Sequence, residues 1–292
     1  MSVHEEVAGD PTGGLSQPGS LSQRAVRRPS ALVAHWQAFW AAVQFLTRLP
    51  VPARFLAVDH EAAPLERATI YFPLVGSLIG LATGTSIWLA AHAWPLWLAV
   101  LLGLAAEALL TGCLHEDGLA DCCDALGGGR TRADVLRILD DSRLGTYGVL
   151  ALALALLLRA GSLVSLEASL LLPSVVASAT LGRWAMVVAM AWLAPLADRP
   201  SLTRLAGRQT VRVQAFWSGL LALGGSLPLA ILWPARFGAS VVATMIITTW
   251  FVYYLRRRIG GMTGDGAGAI CYASQVAVLL CCCAFAGHGA AN

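Results

Sequence analysis

Residues 112–148 read GCLHEDGLADCCDALGGGRTRADVLRILDDSRLGTYG and hold Glu116, Asp117, Asp121, Asp124, Asp134, Asp140 and Asp141, seven of the chain's seventeen acids. Asp117, Asp121 and Asp124 stand at i, i+4 and i+7. On a helix they fall within an arc of about 60° and form one acidic stripe. Like charges at that spacing repel, and beside a membrane little salt screens them, so a cation is needed to neutralise them. Magnesium is the natural candidate, a hard ion bound by a few carboxylates together with phosphate oxygens. Such ions on a diphosphate would orient it and absorb charge on the leaving phosphate. The plain alternative is a solvated loop whose acids balance Arg130, Arg132, Arg137 and Arg143. The helical register, set against an apolar run, favours the metal.

Neighbouring residues suit phosphate chemistry. Gly127, Gly128 and Gly129 break a helix and permit close backbone approach. DSRLGTYG puts Asp141, Ser142 and Arg143 in one short segment, with Gly145 and Gly148 opening the next apolar run. An arginine there can clamp phosphate oxygens in bidentate fashion. GGMTGDGAGA at 260–269 is a second glycine-rich segment with one acid, Asp265, at the mouth of the last apolar run.

The elements that must position these residues are membrane helices. Of 292 residues, 57 % are apolar and 13 % charged, about half the roughly 25 % charge of a soluble domain. That excludes disorder, a basic nucleic-acid-binding domain and most soluble enzymes. The net charge of +3 is too small to imply a polyanionic partner, and all twenty basic residues are arginine. The seven cysteines show no CxxC or Cys/His metal spacing and read as reduced small hydrophobes. Residues 1–35 read as a disordered tail with no secretory signal, and 36–292 as one polytopic membrane domain.

A spanning helix needs about 20 apolar residues, because its backbone can bond only to itself in lipid. Seven candidates lie near 69–92, 95–114, 146–165, 168–195, 214–234, 237–255 and 269–287. Trp36–Leu49 is apolar but short and is stopped by Pro50 and Pro52, so it reads as an interfacial helix. The segments before 69, at 115–145, at 196–213 and at 256–268 hold seventeen of the twenty arginines. Alternating spans put all four on one side, which the positive-inside rule makes cytoplasmic. Trp94, Trp97 and Trp233 gather at the opposite ends as an aromatic belt. Glu107, Arg159 and Arg183 lie inside spans, where a charge needs a partner or a wet cavity. Glu107 with either arginine is one pairing; an arginine lining a nucleotide cavity, Arg183 before Arg159, is the other.

In order along residues 38–287, FLTRLPVP (45–52), YFPLVGSLIG (71–80), LHEDGLADCCDALGGG (114–129), DSRLGTYG (141–148) and GGMTGDGAGA (260–269) resemble the adenosylcobinamide-GDP ribazoletransferase family, also called cobalamin 5′-phosphate synthases. The resemblance implies an all-α integral membrane enzyme of a bacterial cytoplasmic (inner) membrane, with its active site at the cytoplasmic helix ends. It implies transfer of the phosphocobinamide part of adenosylcobinamide-GDP to α-ribazole or its 5′-phosphate, release of GMP, and a need for Mg2+. It assigns Asp117, Asp121, Asp124 and Asp141 to catalysis and metal. Ser142, Arg143, Gly145, Gly128, Asp265 and Arg183 fall to the substrate, with His115 or an acid free of metal to take the hydroxyl proton. The chain departs from the family pattern at Ala125, where glycine usually follows the aspartate, at Asp140, and at Tyr272 and Gln275 in the last span.

Two other functions meet the same features. A CDP-alcohol phosphotransferase uses helical carboxylates on a nucleotide diphosphate, but HEDGLAD and Ala125 argue against it. A secondary transporter would place its charges near mid-membrane, whereas these acids cluster at the cytoplasmic ends, and no internal repeat relates the two halves.

Overall fold

The computed structural model describes residues 30–56, 67–141, 143–196 and 208–284, the side chains of 208–211 excepted. The expected N-terminal tail up to residue 29 and Ser142 lie outside the described residues. Every regular element among the described residues is a helix.

Helix α1, Ala31–Leu46, opens with the Val33 N–H donating to Ser30 Oγ and closes at Thr47, whose hydroxyl donates to the Val43 carbonyl. A 3-10 turn, Thr69–Tyr71, leads into α2, Phe72–Ala90. There follow α3, Leu96–Thr111; α4, Leu114–Gly128; and α5, Arg132–Leu139, begun by a Thr131/Asp134 capping box. Next come α6, Thr146–Ser165; α7, Ala168–Trp192; α8, Arg208–Gly225; and the short α9, Leu227–Leu232. The last two are α10, Pro234–Arg258, and α11, Gly264–Ala284.

Among the described residues, five helical stretches are long and apolar enough to cross a membrane: 69–90, 146–165, 168–192, 234–258 and 264–284. The chain is an all-α integral membrane protein. Its helix inventory differs from the seven expected spans at two places. The run at 95–114 ends as a helix at Thr111, where Gly112 (φ 65°) and Cys113 (φ 58°) take left-handed conformations. The chain then turns by 88° into α4, so that α3 and α4 reach the length of a span only together, as a bent pair. The run at 214–234 is divided at Ser226 into α8 and α9, with Pro228 starting the second piece.

Helix α7 is the axis of the bundle; most of its residues are buried, while α6 is mostly bare. The bare flanks carry large apolar side chains such as Leu157, Ile246 and Trp250, as a lipid-facing surface does. Contact of α2 with α7 runs along a small-residue stripe. A Cβ at Gly76 would lie 2.6 Å from the Ala179 carbonyl oxygen, and one at Gly80 would lie 2.7 Å from the Val176 Cα. Close backbone approach of this kind supplies packing where lipid removes the hydrophobic drive between helices. It accounts for the glycines of YFPLVGSLIG. The described arginines of the 115–145 and 256–268 segments gather at one end. There Arg256 donates to the Trp192 carbonyl, Arg132 to that of Ile259, and Arg258 to that of Gly129.

Candidate active site

The acid-bearing helix α4 lies across that arginine-rich end. Its first half rests on the start of α11, where a Cβ at Gly118 would come within 2.9 Å of the Asp265 carbonyl oxygen. One at Gly268 would come within 3.4 Å of the Gly118 Cα. Its second half rests on the start of α6: Asp124 accepts the Gly145 N–H at 2.7 Å and the Gly148 N–H at 2.9 Å. A side chain at either glycine would collide with that carboxylate. The bend before α4 is held by the FLTRLPVP segment. The Arg48 N–H donates to the Leu110 carbonyl at 2.7 Å, and its side chain covers Gly112 so closely that a Cβ there has no room.

Asp117 is exposed and Asp121 half-buried on this helix, beside Asp265 of α11. Burial, then the negative charges of Asp117, Asp265 and Asp124, push the Asp121 carboxyl up to about 6. The expected stripe thus exists and gains a fourth acid from another helix. Its third member is engaged elsewhere: Asp124 is 8 % exposed, with each oxygen on a helix N-terminal amide.

The remaining candidate residues fall in three places. Asp141 and Arg143 bind each other, through Arg143 Nε to Asp141 Oδ1 at 2.9 Å and Nη2 to Oδ2 at 2.6 Å. That clasp holds the Asp141 carboxyl down at about 2. Gly128 is the last residue of α4 and is exposed, and Gly145 is the N-cap of α6. Gly127 packs on the Tyr147 ring, and Gly129 on Val135. His115 and Arg183 are enclosed. His115 projects from α4 on the face opposite the stripe, at 100° per residue, and is 2 % exposed with no hydrogen-bond partner on either ring nitrogen. It therefore does not face a group held by the aspartates. Arg183 has no exposed surface; its Nη1 donates to the Ala179 carbonyl at 3.2 Å, and Nε and Nη2 have no partner.

Two of the three intramembrane charges form an ion pair, and Arg183 is the one left outside it. Arg159 Nη2 meets Glu107 Oε2 at 2.9 Å, the Thr83 hydroxyl donates to the same oxygen, and the Tyr272 ring lies 5.0 Å from the guanidinium. Gln275 is buried, with Nε2 on Cys271 Sγ, and Ala125 is wholly enclosed in the core. Of the four departures from the family pattern, Ala125, Tyr272 and Gln275 thus occupy packed interior positions, whereas Asp140 is exposed.

Sequence reasoning missed Arg48, the left-handed pair at 112–113 and the Gly118–Gly268 contact. The only signal was a glycine set among acids in HEDGLAD.

The donor chemistry suits magnesium in kind: all oxygen, all carboxylate. Among the described residues no three His, Cys, Asp or Glu side chains converge as a metal cage. The expected set of Asp117, Asp121, Asp124 and Asp141 is therefore not brought together: Asp124 is on backbone amides and Asp141 on Arg143.

Comparison with known proteins places the chain. The model of a family described as cobalamin-5-phosphate synthase matches residues 38–283. A protein of Ralstonia pickettii named adenosylcobinamide-GDP ribazoletransferase is 38 % identical over 255 residues, covering 82 % of this chain and 92 % of that protein. One of the same name from Sinorhizobium medicae is 40 % identical over 259 residues, covering 84 % and 95 %. One from Shewanella frigidimarina is 38 % identical over 252 residues, covering 84 % and 91 %. No solved structure matches. With a family match that runs through every helix from α1 to α11, the chain belongs to the cobalamin-5-phosphate synthase family.

Proposed function

We propose that this protein is an adenosylcobinamide-GDP ribazoletransferase working at the arginine-rich end of its bundle. It joins the phosphocobinamide part of adenosylcobinamide-GDP to α-ribazole or its 5′-phosphate and releases GMP, closing cobalamin synthesis. The observation that carries the site assignment is the meeting of Asp117 and Asp121 on α4 with Asp265 on α11, at the place where α4 crosses the helix ends. Burial and the neighbouring negative charges raise the proton affinity of Asp121, and such a concentration of charge calls for divalent cations.

One or two of Asp117, Asp121 and Asp265 would hold Mg2+ together with water and phosphate oxygens, and the ion would supply charge neutralisation for the diphosphate and the departing GMP. The ribose hydroxyl oxygen attacks the phosphorus on the cobinamide side, the bond to the GMP phosphate breaks, and GMP leaves with that electron pair. A carboxylate of the group not engaged by metal accepts the hydroxyl proton, since a base must lie within a hydrogen bond or one water of it. Asp124 positions α4 from behind. Arg143 supplies a phosphate contact when its clasp on Asp141 opens.

The arginine distribution supports a cytoplasmic face for this end and a bacterial cytoplasmic membrane for the protein. The test is GMP release from adenosylcobinamide-GDP by purified protein across a magnesium titration. Activity that rises with magnesium and vanishes in excess chelator is expected. Full activity in chelator, or release of CMP from a CDP-alcohol substrate with no GMP, overturns the reading.

A further inference from the structure

A second polar site lies on the flank of the bundle, on helices that carry none of the aspartates. A groove of about 710 Å³ runs between α1 and the Thr69–Tyr71 turn on one side and α8 on the other. Its polar groups sit at one end. Arg67 stands exposed just ahead of the span that begins at Thr69. His35 Nδ1 and the Tyr71 hydroxyl share a hydrogen bond of 2.9 Å. Gln214 accepts the Thr69 hydroxyl on Oε1 at 2.8 Å. Its Nε2 has no partner, although the residue is only 3 % exposed.

Below that level the lining is apolar. Trp217, Leu220 and Leu221 continue along α8. At a rise of ~1.5 Å per residue, Leu221 lies about 10 Å deeper than Gln214. Thr69 marks the outer end of a 22-residue span, so Arg67 and Gln214 stand at the edge of the hydrocarbon and the leucines stand within it. Charge and depth therefore vary together along the groove, with a cation and an amide donor at the headgroup level and a greasy channel beneath.

We propose that this groove binds an anionic phospholipid of the leaflet at the arginine-rich end. Its phosphate rests against Arg67, with the Gln214 amide as second donor, and one acyl chain follows Trp217 and Leu221. Basic pockets between helices are a recognised way to hold anionic headgroups. A zwitterionic lipid brings the same phosphate but sets its own cation beside Arg67. The occupant is named by the groove's chemistry alone, and the proposal stands whether or not the transferase reading does.

The test uses full-length protein delipidated in detergent, titrated with phosphatidylglycerol or phosphatidylcholine and followed by native mass spectrometry. One phosphatidylglycerol should be retained in preference to phosphatidylcholine. Arg67→Gln should weaken that retention about tenfold, the loss of one charge-assisted contact. Leu221→Trp, which fills the channel, should abolish it. Arg54→Gln, an exposed arginine stacked on Phe55 outside the groove, should leave it unchanged. Should Leu221→Trp fail to fold, the Arg67→Gln and Arg54→Gln pair still decides. Equal retention of the two lipids, or undiminished retention by Arg67→Gln, overturns the proposal. Binding of α-ribazole 5′-phosphate to the lipid-free protein that Arg67→Gln abolishes also overturns it, assigning the groove to substrate.

Discussion

The Asp124 carboxylate accepts the Gly148 N–H at 2.9 Å, one turn into α6, while its other oxygen takes the Gly145 N–H. The first turn of a helix leaves its amides unbonded and partly positive, and Asp124 satisfies two of them from α4. The third acid of the stripe is thus the bolt that fixes the angle of the helix bearing the other two.

Replacing Asp124 by alanine removes two charge-assisted hydrogen bonds, worth about 1.5–3 kcal/mol each. Stability should fall by roughly 3 kcal/mol or more. Thermal unfolding in detergent should show the drop, with Asp124→Asn intermediate because its amide oxygen keeps one acceptor. Both variants should lose turnover. An Asp124→Ala protein as stable as the parent would remove the bolt from the account.

Asp121 is expected to behave in the opposite sense. Its carboxyl titrates at about 6 in the fold, against about 3.9 in an unfolded chain. The folded protein therefore binds the extra proton between those values and gains stability as pH falls through 6. Asp121→Asn should abolish GMP release yet raise the melting temperature of magnesium-free protein above pH 6. That advantage should shrink as pH drops below 6. Melting curves at pH 5 and pH 8 check it; a lower melting temperature at pH 8 would mean that the aspartates do not repel.

The Glu107–Arg159 pair is buried on both sides. Removing one partner strands the other charge, at a cost of about 3–5 kcal/mol. Glu107→Gln and Arg159→Gln should each destabilise strongly, and the double variant should recover a large part of the sum. A double-mutant cycle on thermal unfolding measures the coupling, and simple additivity would contradict the contact.

Gly118→Val should leave membrane insertion intact but sharply reduce turnover, because a branched side chain there must push α4 off the Asp265 backbone. Comparing kcat with that of Gly161→Ala, a position with open space around it, separates this displacement from the general cost of losing a glycine.

Single cysteines placed at 130 and 205 should react from the same side of the membrane, and from the cytoplasmic side in cells. Labelling from opposite faces would overturn the topology on which the cytoplasmic assignment rests.

Hydropathy and arginine placement were enough to read a helical membrane protein, and the i, i+4, i+7 register was enough to read the stripe. The bend at Gly112 and Cys113 was not legible, because an apolar run ends the same way whether the helix leaves the membrane or folds over at 88°. Nor was the employment of Asp124. Its partners are backbone amides 21 and 24 residues away, and backbone carries no sequence signature. Asp141 and Arg143 were read as separate tools for metal and phosphate, whereas two residues of separation lets them close on each other first. In HEDGLAD and TGDGAGA, Gly118, Gly266 and Gly268 lie in helices and pack against another helix, a contact that the spacing of glycines did not reveal.

Where Gly118 meets Gly268, main chain rests on main chain. Such a joint has no rotamer through which to yield, so Asp121 and Asp265 move as one body with the helices beneath them. Any adjustment to substrates of different size must then come from elsewhere, and the Asp141–Arg143 latch, whose arginine is exposed, can swing without disturbing the frame.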